Sequence, residues 1–300
     1  MNNKRHILTR RDFIKDATCG ALGITFGIGA GNLFAGIKPF AAENPSSRLV
    51  LIRDENAVNA DGTINGKTVQ QMIDTGMQKL TGESDVIKAW QQFIKPDANV
   101  GIKYTRCSWM RIPTEQETVD AITGRLADIK IPGDKIHAGD YGLPVESCDV
   151  LINVPSVKVH TLTGIAAAIK NYINFTDKPS AYHHEGSVNL GEAWMLPEVK
   201  GKTRLIIVDM LRPYFGPGPQ INPLHRWNYS GILIGTDPVA IDTVCTKICQ
   251  EKRNLFKGEE WLIAPPPECL LAADKKYKLG TSDPFKINLD RLGWEKGLLI

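Results

Sequence analysis

Unbroken apolar runs alternate along this 300-residue chain with stretches in which apolar residues recur every three or four positions. Leu49, Val50, Leu51 and Ile52 centre one run at 48–53. Runs at 99–104, 135–139, 149–154, 204–208 and 232–235 have the same character, and all predict buried strands. Between them, Val69, Met72, Ile73 and Leu80 trace a helical face, and a second short helix is expected to end at Pro96. Thr114 and Glu117 have the spacing of a capping box that opens a helix through Val119, Ile122 and Leu126. Asp237 followed by Pro238 predicts another helix start, after which Ile241, Val244, Cys245, Ile248 and Cys249 repeat at helical spacing. A last helix is expected over 268–278, stopping at Gly280. Strands without polar alternation, separated by amphipathic helices, predict an α/β fold: a largely parallel sheet flanked by helices in a single domain. The segments 176–203 and 211–230 are then insertions. The Tyr214–Pro219 stretch, rich in Pro and Gly, is expected to be a shaped loop and a wall of the site.

Composition agrees with a globular chain, at 42% apolar and 23% charged residues. The net charge of +3 is local. Residues 1–42 hold Lys4, Arg5, Arg10, Arg11, Lys15 and Lys38 against Asp12 and Asp16, which leaves 30 basic and 31 acidic residues in 43–300. With no basic stripe in that remainder, no nucleic-acid partner is expected.

The basic start runs into Arg10, Arg11, Asp12, Phe13, Ile14 and Lys15, then a weakly apolar run with six glycines at 20, 23, 27, 29, 31 and 36. This resembles a bacterial twin-arginine (Tat) export signal over 1–42, followed by the mature domain 43–300. The resemblance implies a transient Tat translocase partner and a periplasmic or otherwise exported destination. The membrane would be touched only through an uncleaved signal. That route carries folded proteins, often already holding a cofactor, so a cofactor is in view but unnamed. Beyond the signal, Cys107, Cys148, Cys245, Cys249 and Cys269 are odd in number and contain no C-x-x-C pair. Cys245 and Cys249 are expected to pack in the core.

In open α/β sheets, ligands bind beyond the carboxyl ends of the strands. Applied to each expected strand, that rule collects Lys103 and Arg106, Asp140, Lys158 and His160, Asp209 and Arg212, and Asp237. The densest stretch runs from Asn153 through Lys158, His160, Thr163 and Gly164 to Lys170 and Asn171. A strand end, a basic loop and a glycine opening an alanine-rich helix would form an anion cradle. Lys170, on that helix, is a base, a Schiff-base amine, a ligand clamp, or a lysine extended to solvent. His160 is a general base, a metal ligand or a hydrogen-bonded structural residue. His183 and His184 are candidate metal ligands.

Several of these residues also resemble a family defined only by number, domain of unknown function family 362. Val100 to Lys103 looks like its early V-G-I-K strand. Pro155, Lys158, His160, Gly164, Lys170 and Asn171 match its P-x-x-K-x-H … K-N signature, and 237–242 match D-P-V-A-x-D. Leu279 and Gly280 sit at its late G-L-G turn. Tyr104 and Thr105 depart from the family's pattern after the first strand, and the ferredoxin-like cysteine clusters of some relatives are missing from this sequence. The resemblance implies a loose link to redox work and names no reaction.

The expectation is therefore an exported enzyme acting on a small anionic substrate, by redox chemistry or isomerisation, with His160, Lys170 and Asp237 as catalytic residues. Lys103, Lys158, Thr163, Gly164, Asn171, Asp209, Arg212 and Asp242 would bind the substrate. A periplasmic ligand-binding or accessory protein is the alternative. Both take a small-molecule ligand.

Overall fold

The computed structural model describes residues 47–106, 112–218 and 220–300; the twin-arginine segment and Cys107 lie outside them. Nine strands form among these residues: β1 (Ser47–Arg53), β2 (Val100–Tyr104), β3 (Ile136–Gly139), β4 (Val150–Val154), β5 (Ser156–His160), β6 (Gly164–Ala166), β7 (Thr203–Tyr214), β8 (Gly231–Gly235) and β9 (Ile287–Gly293). The main path of the sheet is β3-β2-β4-β7-β8-β1-β9, with β5 beside β7 and β6 beside β5. All neighbours on that path are parallel except β8, which is antiparallel to both β7 and β1. The fold is thus α/β with a mixed, mostly parallel sheet in one compact domain.

Alternation along the strands sends successive side chains to opposite faces, and each face has its own core. Val50, Ile52, Ile102, Ile152, Ile207 and Ile234 pack under three helices: α1 (Gly66–Thr81), α2 (Val86–Gln91) and α3 (Gln116–Asp128). Leu49, Leu51, Leu151, Ile206, Val208 and Leu233 pack against α4 (Pro238–Lys257) and α5 (Glu268–Lys275) on the other. Each fully buried Leu, Ile or Val contributes roughly 1.5–3 kcal/mol, so coverage of both faces explains the unbroken apolar runs. Cys245 and Cys249 lie in the second core with Cys269, and Cys148, Cys245, Cys249 and Cys269 are all buried free thiols.

Three local expectations give way to tertiary contacts. The Thr114 hydroxyl donates to Val154 O at 2.7 Å, so no capping box forms and Glu115 is the N-cap of α3. Asp209 on β7 serves that helix end instead, accepting from Glu115 N at 2.7 Å and Thr118 Oγ1 at 3.1 Å. The expected alanine-rich helix after Gly164 is β6, followed by a 3₁₀ turn at Lys170–Phe175. Tyr214 and Phe215 are buried, and Phe215 packs with His225, Trp227, Phe256 and Trp261, away from the residues that line the pocket described below.

The segment that carries the candidate chemistry is a strand interrupted by Pro155. β4 and β5 both run parallel to β7, and Pro155 O between them accepts from Asp209 N. β5 then turns back on itself: His160 pairs with Gly164 and Lys158 with Ala166. Gly164 holds φ +76°, and a Cβ there would meet Pro265 O at 2.6 Å. Only glycine permits this turn at that distance from the neighbouring backbone. Among the described residues, no helix is long and apolar enough to cross a membrane.

Candidate functional site: a cationic pocket at the carboxyl edge

In β5 the side chains alternate. Val157 and Val159 enter the core shared with α4, while Lys158 and His160 face a cavity of about 340 Å³. Lys170, Asn171, Asn174 and His183 line the same cavity with Arg106, Asp140 and Ser156. The ends of β2 and β3, the β5–β6 hairpin and the two 3₁₀ turns at Lys170–Phe175 and Pro179–His183 thus meet at one edge of the sheet.

The floor of the pocket is a buried polar network. Lys103 Nζ contacts Asp140 Oδ1 at 2.6 Å, with both side chains at most 5% exposed. Asp140 also accepts from Arg106 N at 2.8 Å and Asn174 Nδ2 at 2.7 Å. Burial works to raise the Asp140 carboxyl, but the Lys103 ammonium and these donors hold it below the ordinary carboxylate range. Asn171 bridges outward: its Oδ1 accepts from Lys103 Nζ and Thr105 Oγ1, each at 3.2 Å. Its Nδ2 donates to Lys103 O at 2.9 Å and to Asn153 Oδ1 at 2.7 Å. Asn153 in turn donates to Ala168 O at 3.0 Å. Every charge in the floor is therefore matched.

The walls carry imidazoles and lysines. His160 and His183 stack with ring centroids 5.5 Å apart and planes 11° from parallel. Nδ1 of His160 accepts from Leu162 N at 3.1 Å and Thr163 N at 3.3 Å, so the hairpin loop occupies its lone pair. The proton of the neutral ring then sits on Nε2. Burial, then the charges of Lys170, His183 and Lys158, push the His160 pKa down to about 3. His183 is pushed down to about 4 by burial and Lys170, against a hydrogen bond to the Ser180 backbone that favours its charged form. Both imidazoles are thus neutral near pH 7. Lys158, 6% exposed, donates to Ser156 Oγ at 3.2 Å, and Ser156 Oγ donates to Ile112 O at 2.7 Å. The polar walls are basic or neutral, and the only carboxylate among the described lining residues, Asp140, is already paired.

Of the residues singled out in the sequence, Arg106, Asp140, Lys158, His160, Lys170, Asn171 and His183 come together here. Lys103 lies beneath them, fully buried, and reaches the pocket through Asp140 and Asn171. The others do not join. Thr163 and Gly164 shape the hairpin, and the Thr163 hydroxyl donates to Ile165 O. Asp242 lies one turn into α4 and accepts from Ala168 N at 2.7 Å and Ile169 N at 2.9 Å, anchoring the backbone just before Lys170. Burial raises its pKa to about 7. Asp209 caps α3, and burial together with Glu115 raises it likewise to about 7. Arg212 is held by both Glu115 oxygens, at 2.8 and 2.9 Å, and by Gly62 O at 2.6 Å.

Asp237 is placed at the opposite edge. Because β8 is antiparallel, its last residue, Gly235, pairs with Leu49 near the start of β1 and with Ile206 on β7. Asp237 caps α4 through Val239 N and Ala240 N and accepts from Thr281 N, so its role is structural. As for the metal reading, His183 lies on the pocket wall while His184, next in sequence, is exposed. Among the described residues, no three His, Cys, Asp or Glu side chains gather as a metal site.

Asn153, Asn174, Thr105 and Ser156 were not picked out as site residues. A readable signal existed for one of them: Asn153 is the single polar residue in the apolar 150–154 run, and a buried polar group needs a partner. Asn174 and Thr105 carry no such signal.

Taken together, the fold and pocket define an α/β protein with a cationic cleft at the carboxyl edge of a mostly parallel sheet. A family model described as a domain of unknown function (DUF362) matches residues 104–247, a span that contains every lining residue named above and starts one residue after Lys103 of the floor. That match supports the family which the motifs resemble. No curated protein and no solved structure matches the chain.

Proposed function

We propose that the protein is an exported enzyme that acts on a small oxyanionic substrate in the β5 pocket. One observation carries this reading. Lys158, Lys170, His160 and His183 converge on a single cavity, and the one carboxylate among its described lining residues, Asp140, is paired with Lys103. An anion entering it meets ammonium and N–H groups. With its Nδ1 engaged, His160 serves as a neutral hydrogen-bond donor that polarises a substrate oxygen, rather than as a base. Lys170 is the residue left to move a proton. Isomerisation or redox chemistry fits such a donor, and a redox step would bring in a separate electron acceptor. The twin-arginine resemblance of residues 1–42 supports export.

The engagement of His160 Nδ1 also favours a second reading, a binding or accessory protein that holds the same anion without turning it over. One preparation separates the two. Full-length protein is expressed, recovered from the exported fraction, and titrated by calorimetry with phosphate and with small carboxylates, with product formation followed by NMR. Saturable binding that falls at least about tenfold in Lys158→Gln and in Lys170→Gln is expected. Binding with no turnover of any bound compound favours the accessory role. An absence of anion binding, or its indifference to both lysines, overturns the site.

A further inference from the structure

The pocket offers a ligand carbon as well as charge. Its cavity of about 340 Å³ falls within the roughly 300–1,000 Å³ of sites that enclose drug-sized molecules, more room than a bare carboxylate or phosphate fills. Much of its lining is apolar. Ala166 and Ala167 come from the end of β6, Ile173 from the 3₁₀ turn at Lys170–Phe175 and Pro179 from the turn that follows. Two larger side chains border the same cavity from separate elements. Tyr141, one residue beyond Asp140, is 70% exposed, and Leu162, in the β5–β6 turn, is 48% exposed. The Leu162 backbone is pinned on both sides: its N–H donates to His160 Nδ1 at 3.1 Å, and its carbonyl accepts from Ser187 Oγ at 3.2 Å. The turn therefore holds a leucine side chain in water. One exposed apolar side chain is ordinary on a protein surface. Two that border a single cavity, itself apolar over much of its wall, form a continuous surface for a ligand's carbon atoms.

We infer that the substrate joins its oxyanion to an apolar body, which packs on Ile173 and Pro179 within the cavity and on Tyr141 and Leu162 at its mouth. This rests on the proposed anion-binding role of the pocket and narrows it to a substrate class: carboxylic acids or phosphate monoesters that bear an alkyl or aryl group. The charged end makes the polar contacts, and the apolar end supplies affinity by leaving water. A fully buried methylene is worth about fourfold in affinity, and a half-covered one about twofold.

Two homologous series test it. The full-length protein is titrated by calorimetry near pH 7 with acetate, butanoate and hexanoate, and with methyl, propyl and pentyl phosphate, with hexanol as the uncharged control. In at least one series, affinity is expected to rise by about two- to fourfold per methylene. A rise in one series alone assigns its headgroup, and a rise in both assigns the shared class. Leu162→Ser and Tyr141→Ser are each expected to cut the ratio of longest to shortest member at least about threefold, and Leu162→Met to keep it. Leu255→Ser, at an exposed leucine on α4 outside the pocket lining, is expected to leave the ratio unchanged. A flat series, in which acetate and methyl phosphate bind as tightly as their longer members, overturns the inference and leaves the anion site standing. So does a rise that survives both serine variants, or one that falls equally in Leu255→Ser. Hexanol bound as tightly as hexanoate, or no binding by any compound, overturns the anion reading and the inference together.

Discussion

Lys103 is a fully buried lysine whose Nζ lies 2.6 Å from Asp140, and its importance comes from what its loss would leave behind. Charges taken out of water are tolerated only when paired, and removing one partner strands the other. Lys103→Met should therefore destabilise the fold by about 3–5 kcal/mol in chemical denaturation. Adding Asp140→Asn should restore part of that loss, since the neutral amide no longer demands a cation. A double variant no more stable than the single one would mean that Lys103 acts through packing alone. The pair also explains why the pocket is cationic. Asp140 is held by Lys103, Arg106 N and Asn174, all from the floor, so its charge is matched there.

At the level of elements, the site depends on a strand that bends back. Pro155 separates β4 from β5 without ending their common alignment along β7, and Gly164 lets β6 return antiparallel. The turn that follows begins with Lys170, and Asp242 on α4 fixes its approach by accepting Ala168 N and Ile169 N on separate oxygens. An asparagine offers one oxygen and turns an N–H₂ toward the second donor. Asp242→Asn should therefore cost about 1–3 kcal/mol at about pH 8, where the carboxyl is ionised, and weaken anion binding through the displaced Lys170. Lost stability with unchanged affinity would show that α4 supports the fold without positioning the lysine.

Across the whole molecule, buried titratable groups oppose one another. Asp209 and Asp242 titrate at about 7 in the fold, against an ordinary 3.8. Between about pH 4 and 7 the folded chain therefore keeps protons that the unfolded chain has lost, and their contribution falls as pH rises. His160 and His183 titrate at about 3 and 4 against an ordinary 6.5, so the unfolded chain holds the extra protons and their contribution rises with pH. Shifts of similar size and opposite sign should leave the wild-type melting temperature nearly flat from about pH 4.5 to 6.5. Replacing both histidines with glutamine should expose the carboxylates, so that the midpoint declines over that window. Melting curves at several pH values check both slopes, and a flat profile in the double variant would contradict the balance.

Six of the nine strands and the long helices were legible in the chain, because burial on both faces leaves unbroken apolar runs and burial on one face leaves helical spacing. Lys158, His160, Lys170 and Asn171 were legible as a cluster because they are close in sequence. The alternation of Val157 and Val159 with Lys158 and His160 already carried the period of a strand, masked by the alanines that followed. Partnerships across the sheet were not legible. No local pattern says that β8 runs backwards, yet that reversal sends Asp237 to the far edge. Nor does any pattern say that Asp209 closes a helix 91 residues away at Thr118, or that the Asp140 charge is matched by Lys103, 37 residues earlier. The sequence by itself determined the layers and the charge of one loop, since hydrophobic burial and local spacing act residue by residue. Tertiary structure alone decided which charges were matched in the floor and which side chains met in one cavity, because a hydrogen bond depends on ångström distances between residues far apart in the chain.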